Sequence, residues 1–383
     1  MNRILKIGMD VHSTNYTICV VEPKLEGEPE LLYEVQVEPD YHNVLQVIAK
    51  LKAKYKKDNL HITCGYEAGC LGYTLWHELD DAGVKCVILA PSTMETPGGN
   101  RIKTDKRDAW LIAKCMANGG FNEVHIPNTR DEDTREYLRM REDHKKQQKV
   151  IKQEINAFCL RHGFKYDNTK WTIAHRKWLN GLELTEIQRE ILNEYLLTYD
   201  SLEDKLNRLD ARIHGFAAMD DYKEAVGKLR CFIGIDTLKA LSLVTETGDF
   251  ARFPKAERYA AYLGLVPGER SSSTDINRLG ITKAGNKHIR TMLIEAAQCF
   301  CRGRIGAKSK KLCARQNGNG PEVIAYADKA NERLRRKYYR MVLKSGKQRN
   351  TAVTAVAREL ACFIWGMMTG NINLTSEQNG NVA

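Results

Sequence analysis

The 383-residue chain contains no apolar run longer than the nine residues from Leu360 to Met368, about half of the roughly 18–20 needed to cross a bilayer. An integral membrane protein is therefore excluded. There is no CxxC pair among the eleven cysteines, an odd number whose only close spacing is Cys299 and Cys301. A disulfide framework and a zinc ribbon are not expected, and the thiols read as reduced and mostly buried. The start, MNRILKIGMDVH, lacks a signal-peptide core because Asp10 intervenes before one can form, which points to the cytoplasm. The first strand-like run also lacks the Gly-rich turn of a doubly wound nucleotide-binding sheet; MDVHST stands there instead.

What is present is enough for two or three domains, with 43% hydrophobic and 28% charged residues. The net charge of +11 is concentrated: residues 302–349 hold fifteen Lys or Arg against three acids, and the rest of the chain nearly balances. A polyanion is the expected partner. Tyr326, Tyr338 and Tyr339 interleave with RLRRKYYR (333–340), a pattern that joins phosphate contacts to rings on which bases stack.

The first 125 residues alternate in type. ILKIGMDV (4–11), NYTICVVEP (15–23) and LLYEVQVEP (31–39) read as an antiparallel meander. A helix, the strand LHITCGYE (60–67), the helix LGYTLWHELDDAG (71–83), the strand KCVILAP (85–91) and a helix from 104 to 118 follow. That is the order of a ribonuclease-H-like domain, so the expected class is α/β followed by α. From 130 to 218 the strand signal disappears. Ile187, Ile191, Leu202, Leu206, Leu209, Ile213 and Phe216 fall at steps that predict a coiled-coil seam on a helical hairpin broken near His162–Thr169, and hence dimerisation. FIGID (232–236) between two helical stretches predicts a helix-hairpin-helix turn whose amides meet phosphate. TAVTAVARELACFIWGMMTG (351–370) reads as an apolar helix packed on the same domain. The expected divisions are 1–128, a helical coiled-coil domain at 129–222, a mostly helical domain at 223–370 and a disordered tail at 371–383.

Four acids stand out. Asp10 ends an otherwise apolar strand, where a buried unpaired carboxylate costs several kcal/mol. Glu67 ends the strand expected beside it, and Asp105 and Asp108 in KTDKRDA share one helix face. Four converging carboxylates repel unless a divalent cation neutralises them, and hard oxygen ligands suit Mg2+, with two ions possible. His12 reads as an ordinary strand-end histidine, with a proton carrier as the alternative. Ser271 to Thr274, between GLVPGER and RLGITKAGNK, compose a polar loop. Arg270, Arg278, Lys283 and Arg290 around it supply the positive charge that would activate a serine or steady a phosphoryl transition state.

An ordered set of segments resembles the DEDD insertion-sequence transposases, recombinases guided by a bridge RNA. The set begins with IGMDVHSTNYTICVVE, YEAGCLGYTLWHEL and NRIKTDKRDAWLIAK, similar to a RuvC-like nuclease half. It continues with IGIDTLKALSLVTETGDFARFPKAERYAAYLGLVP, the serine stretch, GITKAGNKHIRTMLIEAA and RRKYYRMVLKSGKQRNTAVTAVARELACFIW, similar to a C-terminal transposase domain. The resemblance implies that Asp10, Glu67, Asp105 and Asp108 are the metal ligands. It also implies a serine nucleophile, Ser272 with Ser271 next, although Ser273 and Thr274 stand where the family has two glycines. Donor and target DNA, a guide RNA and a homodimer or homotetramer are the partners it implies, in a bacterial or archaeal cytoplasm near the nucleoid. The expected nucleic-acid contacts are Arg270, Arg278, Lys283, Lys287, Arg290, Arg333, Arg335, Arg336, Lys337 and Arg340. A junction-resolving nuclease working with water, or a binding protein without catalysis, are the alternatives.

Overall fold

A computed structural model of the chain describes residues 2–69, 71–94, 104–269 and 278–372. They form two compact units, Met1–Ile126 and Pro127–Ala383. The first holds β1 (Asn2–Val11), β2 (Tyr16–Glu22), β3 (Glu30–Val37), α1 (Tyr41–Lys54), β4 (Asn59–Glu67), α2 (Thr74–Asp81), β5 (Cys86–Leu89) and α3 (Asp105–Asn118). The sheet order is β3-β2-β1-β4-β5, with β1 antiparallel to β2 and parallel to β4. This is the ribonuclease-H-like arrangement, and it makes the first and fourth strands neighbours.

Alternation along β1 decides the two faces of the sheet. Leu5, Ile7 and Met9 are fully buried and join Ile18, Val20, Cys64 and Tyr66 in a core closed by Val47, Ile48 and Leu51 of α1 and Leu75 and Leu79 of α2. The opposite face carries Gly8 and Gly65, paired in register. A Cβ at Gly8 would fall 2.3 Å from the Ala113 nitrogen and 2.4 Å from the Ala109 oxygen, and one at Gly65 would fall 2.5 Å from Met116 Sδ. At Gly8 α3 lies backbone against strand, and Gly65 makes room for the Met116 side chain.

The second unit opens with α4 (Thr129–Arg161), α5 (Ile173–Asn180) and α6 (Glu186–Ala217). Asn128 caps α4 by accepting from the Asp131 amide, and Thr185 and Gln188 close a reciprocal capping box on α6. The break between the long helices spans 162–185, wider than expected, because it folds over a small core of its own. Ile155, Phe158, Leu179, Leu192 and Leu196 are buried there, and Trp171 stacks on Tyr199 at 5.1 Å. Of the expected seam, Leu202, Leu206 and Ile213 are buried, while Ile187 and Ile191 are 70% and 42% exposed.

Then come α7 (Asp220–Leu229), α8 (Thr237–Thr247), α9 (Ala256–Tyr262), β6 (Pro267–Glu269), β7 (Arg278–Ile281), α10 (Lys287–Ala297), α11 (Lys310–Gln316), α12 (Pro321–Tyr339), a π turn at Arg340–Lys344 and α13 (Arg349–Met368). Among the described residues α13 alone is long and apolar enough to cross a membrane, and its Val356, Leu360 and Ile364 are fully buried in the core of this unit. FIGID is the turn between α7 and α8, and three of its five amides are spent inward. The Phe232 amide donates to Leu229, that of Ile233 to Asn331 Oδ1 at 2.8 Å and that of Ile235 to Phe232. Burial of Phe232 and Ile235 in the core demands those internal partners. Of the expected tail, 371–383, only Asn371 and Ile372 lie within the described residues.

Candidate functional site

Parallel partners point the same way, so the register fixes where the acids go. Gly8 pairs with Gly65 and Met9 with Tyr66, where the pairing ends; by alternation Asp10 and Glu67, the next residues of β1 and β4, fall on the side of the sheet that α3 covers. Because α3 is seated on Gly8 through Ala109 and Ala113, its first turn, with Asp105 and Asp108, overlies the end of β1. The Asp10 side chain is 17% exposed. Burial raises its pKa above the ordinary carboxylate value, the charges of Asp108 and Asp105 add to that rise, and His12 opposes it. The site is thus one that a cation relieves.

The structure adds a residue that the sequence alone presents as ordinary. His12 Nε2 lies 3.2 Å from Asp10 Oδ2, and one ligand atom from each of Asp10, His12 and Asp105 falls within 4.8 Å of the others. Glu67 and Asp108 are outside that three-residue group. Carboxylates with one imidazole are donors that a divalent cation accepts, so the residues present fit such an ion. When bound it would supply Lewis-acid stabilisation to a phosphoryl oxygen. The clue in the sequence is spacing, since a side chain two residues beyond Asp10 returns to the same side of the strand.

In the second unit, β6 and β7 pair antiparallel, Glu269 opposite Arg278. Arg270, Ser271, Ser272, Ser273 and Thr274, between those two positions, lie outside the described residues. The turn from β7 into α10 is tightly packed. Gly264 and Gly285 are left-handed, with φ of 65° and 70°, and a Cβ on either would fall 2.2 Å from the Ala284 oxygen or 1.8 Å from the Tyr262 oxygen. Lys283, exposed and also left-handed, donates its amide to Gly264, and Lys287 is exposed at the start of α10.

Two expected nucleic-acid contacts are corrected by their burial. Arg290, 9% exposed, donates Nη1 to the carbonyls of Leu263 and Ala284, both at 2.9 Å. Arg335, 7% exposed, donates to the carbonyl of Arg304 at 2.6 Å and that of Ala307. Both brace the carbonyls of a helix end and of internal loops rather than forming a surface for phosphate. Tyr326 and Tyr338 are core residues, 5% and 7% exposed, so they offer no stacking face. Arg333 and Lys337 share Glu359 and Arg336 pairs with Glu332. Burial acts to raise the Glu359 pKa, but Lys337 and Arg333 outweigh it and hold the carboxyl below the usual range. A cleft of about 1020 Å³ opens beside these residues between α9, α12, the π turn and α13, lined by Lys329, Arg336, Arg340, Lys344, Arg358 and Tyr339.

Two family models match the chain: a transposase model of the DEDD, IS110 type over residues 7–163, and the model described as Transposase IS116/IS110/IS902 family over residues 228–312. The transposase for insertion sequence element IS1533 of Leptospira borgpetersenii is 32% identical over 357 residues, covering 91% of this chain and 99% of its own. That for IS1111A of Coxiella burnetii is 23% identical over 66% of this chain and 70% of its own. The structure of Thermus thermophilus RuvC aligns with 31% of this chain and 99% of its own at 12% identity, with a TM-score of 0.24. Sequence similarity along nearly the whole length, with an acidic sheet end where the DEDD model matches, places the chain in the IS116/IS110/IS902 family as a DEDD insertion-sequence transposase, an enzyme acting on DNA.

Proposed function

We propose that the chain is an RNA-guided, Mg2+-dependent recombinase that excises and inserts its mobile element. The meeting of Asp10 and Asp105 at the end of β1 is the observation that supports this reading most directly. Asp10, Glu67, Asp105 and Asp108 hold one or two Mg2+ ions, and Ser272, or Ser271 beside it, is the nucleophile. The serine oxygen forms a bond to the scissile phosphorus as the bond from phosphorus to the leaving sugar oxygen breaks; the serine proton is lost and the leaving oxygen gains one. The DNA stays joined to the protein until the second strand is exchanged. Residues 129–222 form the dimerising hairpin and 223–370 the serine domain. The acids of one copy face the serine of another, in a homodimer or homotetramer. Exposed Lys283 and Lys287, with the cations of the α12–α13 cleft, meet donor DNA, target DNA or a guide RNA from the element's noncoding end.

The test uses protein purified from cells carrying the native flanking DNA. Sequencing of the co-purified nucleic acid is expected to return one discrete RNA. Ser272→Ala is expected to abolish strand exchange and protein-linked DNA while DNA binding persists, and Asp10→Asn to abolish cleavage. Full recombination by the serine variant would remove the covalent step, and cleavage to free hydrolysed ends would favour a junction-resolving nuclease that uses water.

A further inference from the structure

We propose that His12 is a direct ligand of the cation held at the end of β1 and that it shifts the site's preference from magnesium toward first-row transition ions. The proposal rests on the reading of Asp10 and Asp105 as cation ligands. His12 follows the last residue of β1, and its amide donates to the Asn15 carbonyl at 3.0 Å. That bond closes the turn into β2 and fixes the backbone from which the imidazole reaches back. The ring is 53% exposed, so no core packing requires it to fold over Asp10. Nevertheless Nε2 sits 3.2 Å from Asp10 Oδ2, and the Asp105 carboxylate completes a set of three atoms within 4.8 Å.

Those separations match a coordination shell. With bonds of about 2.1 Å in octahedral geometry, adjacent ligand atoms stand about 3 Å apart and opposite ones about 4 Å. The Asp10–His12 spacing is already that of adjacent ligands, and the set closes round one ion with small side-chain movements. The chemistry of the added donor then decides which ion is favoured. Mg2+ keeps oxygen ligands and gives up its waters reluctantly. An imidazole nitrogen is a better donor to Mn2+, Co2+ or Zn2+, with affinity rising along the first transition row. A histidine that merely hydrogen-bonds Asp10 would give no such selectivity.

The full-length protein, the His12→Ala and His12→Gln variants and Asp10→Asn are titrated calorimetrically with MgCl2 and with CoCl2, and the Mn2+-loaded forms are studied by electron spin-echo spectroscopy. His12→Ala is expected to weaken Co2+ binding at least about tenfold, the scale seen when even outer-shell partners of metal ligands are removed, while Mg2+ binding changes little. Nitrogen coupling on bound Mn2+ is expected in the native protein and absent from both His12 variants. Equal Co2+ affinity in His12→Ala, or Mn2+ binding without nitrogen coupling, overturns the role of His12 while Asp10-dependent binding leaves the acidic site standing. Unchanged binding of both titrated ions by Asp10→Asn overturns the acidic site and His12 together.

Discussion

Gly8 carries more of the site than any acid does, because it decides whether α3 lies close enough for the acids to meet. The two backbone atoms within 2.4 Å of a methyl placed there belong to α3 itself and cannot swing aside as a side-chain tip can. Gly8→Ala is expected to destabilise the first unit by about 1–3 kcal/mol, the ordinary cost of overpacking a tight contact. Lifting the first turn of α3 from the end of β1 should also lower cation affinity; denaturant unfolding and calorimetry read the two effects separately. Native stability with native cation affinity would mean that α3 is not positioned by this contact. At this scale the sequence is legible where one residue breaks its own pattern, as Asp10 does at the end of an apolar strand. It misleads for Arg290 and Arg335, whose carbonyl partners at Leu263, Ala284, Arg304 and Ala307 come together only through folding. His12 is legible in the sequence only as a strand-end histidine or proton carrier two residues beyond Asp10; its approach to the Asp10 carboxylate is set by the turn to Asn15.

Elements of the second unit are tied by one buried carboxylate. Glu246 on α8, its side chain 4% exposed, accepts two hydrogen bonds from Arg139 of α4 at 2.8 and 2.9 Å and one from Asn286 Nδ2 at 2.8 Å. Asn286 in turn caps α10 by accepting from the Ile289 amide, so the segment bearing Lys283 and Lys287 is anchored through Glu246. Burial acts to raise the Glu246 pKa, but Arg139, Arg135 and Asn286 outweigh it, and the folded value lies below the ordinary one. A depressed carboxylate contributes stability that is fully present above its unfolded pKa, near pH 4.5, and is lost as pH falls toward the folded value. Glu246→Gln is expected to cost about 2–3 kcal/mol at pH 7, less than a wholly buried pair because Arg139 keeps contact with water, and to flatten the acid limb of the stability profile. An unchanged acid limb in urea melts from pH 6 to pH 3 would assign that limb to other groups. The order of elements is legible in the sequence, since alternation and helical periodicity are local. The long break at 162–185 is not, because its cause is a tertiary cluster in which Trp171 meets Tyr199 from another helix.

The whole molecule leaves one apolar seam divided between two uses. Along α6, Leu202, Leu206 and Ile213 feed the folded unit, whereas Ile187 and Ile191, from the same sequence stripe, are exposed together with Leu197 at 61%. A helix that needed Ile187 and Ile191 for its own fold would bury them, and an i, i+4 pair of exposed isoleucines is what a contact with another chain would cover. Under the function proposed above, in which the acids of one copy work with the serine of another, the occupant is a second copy. Replacing both Ile187 and Ile191 by Asp is expected to leave the fold intact by circular dichroism, because both side chains are exposed in the single chain, and to remove the concentration dependence of the melting temperature. The same change is expected to halve the mass seen by sedimentation velocity at micromolar concentration, and to remove recombination while cation binding at Asp10 persists. A variant that sediments like the native protein would show that the assembly is built elsewhere and that this end of the hairpin meets nucleic acid or solvent instead.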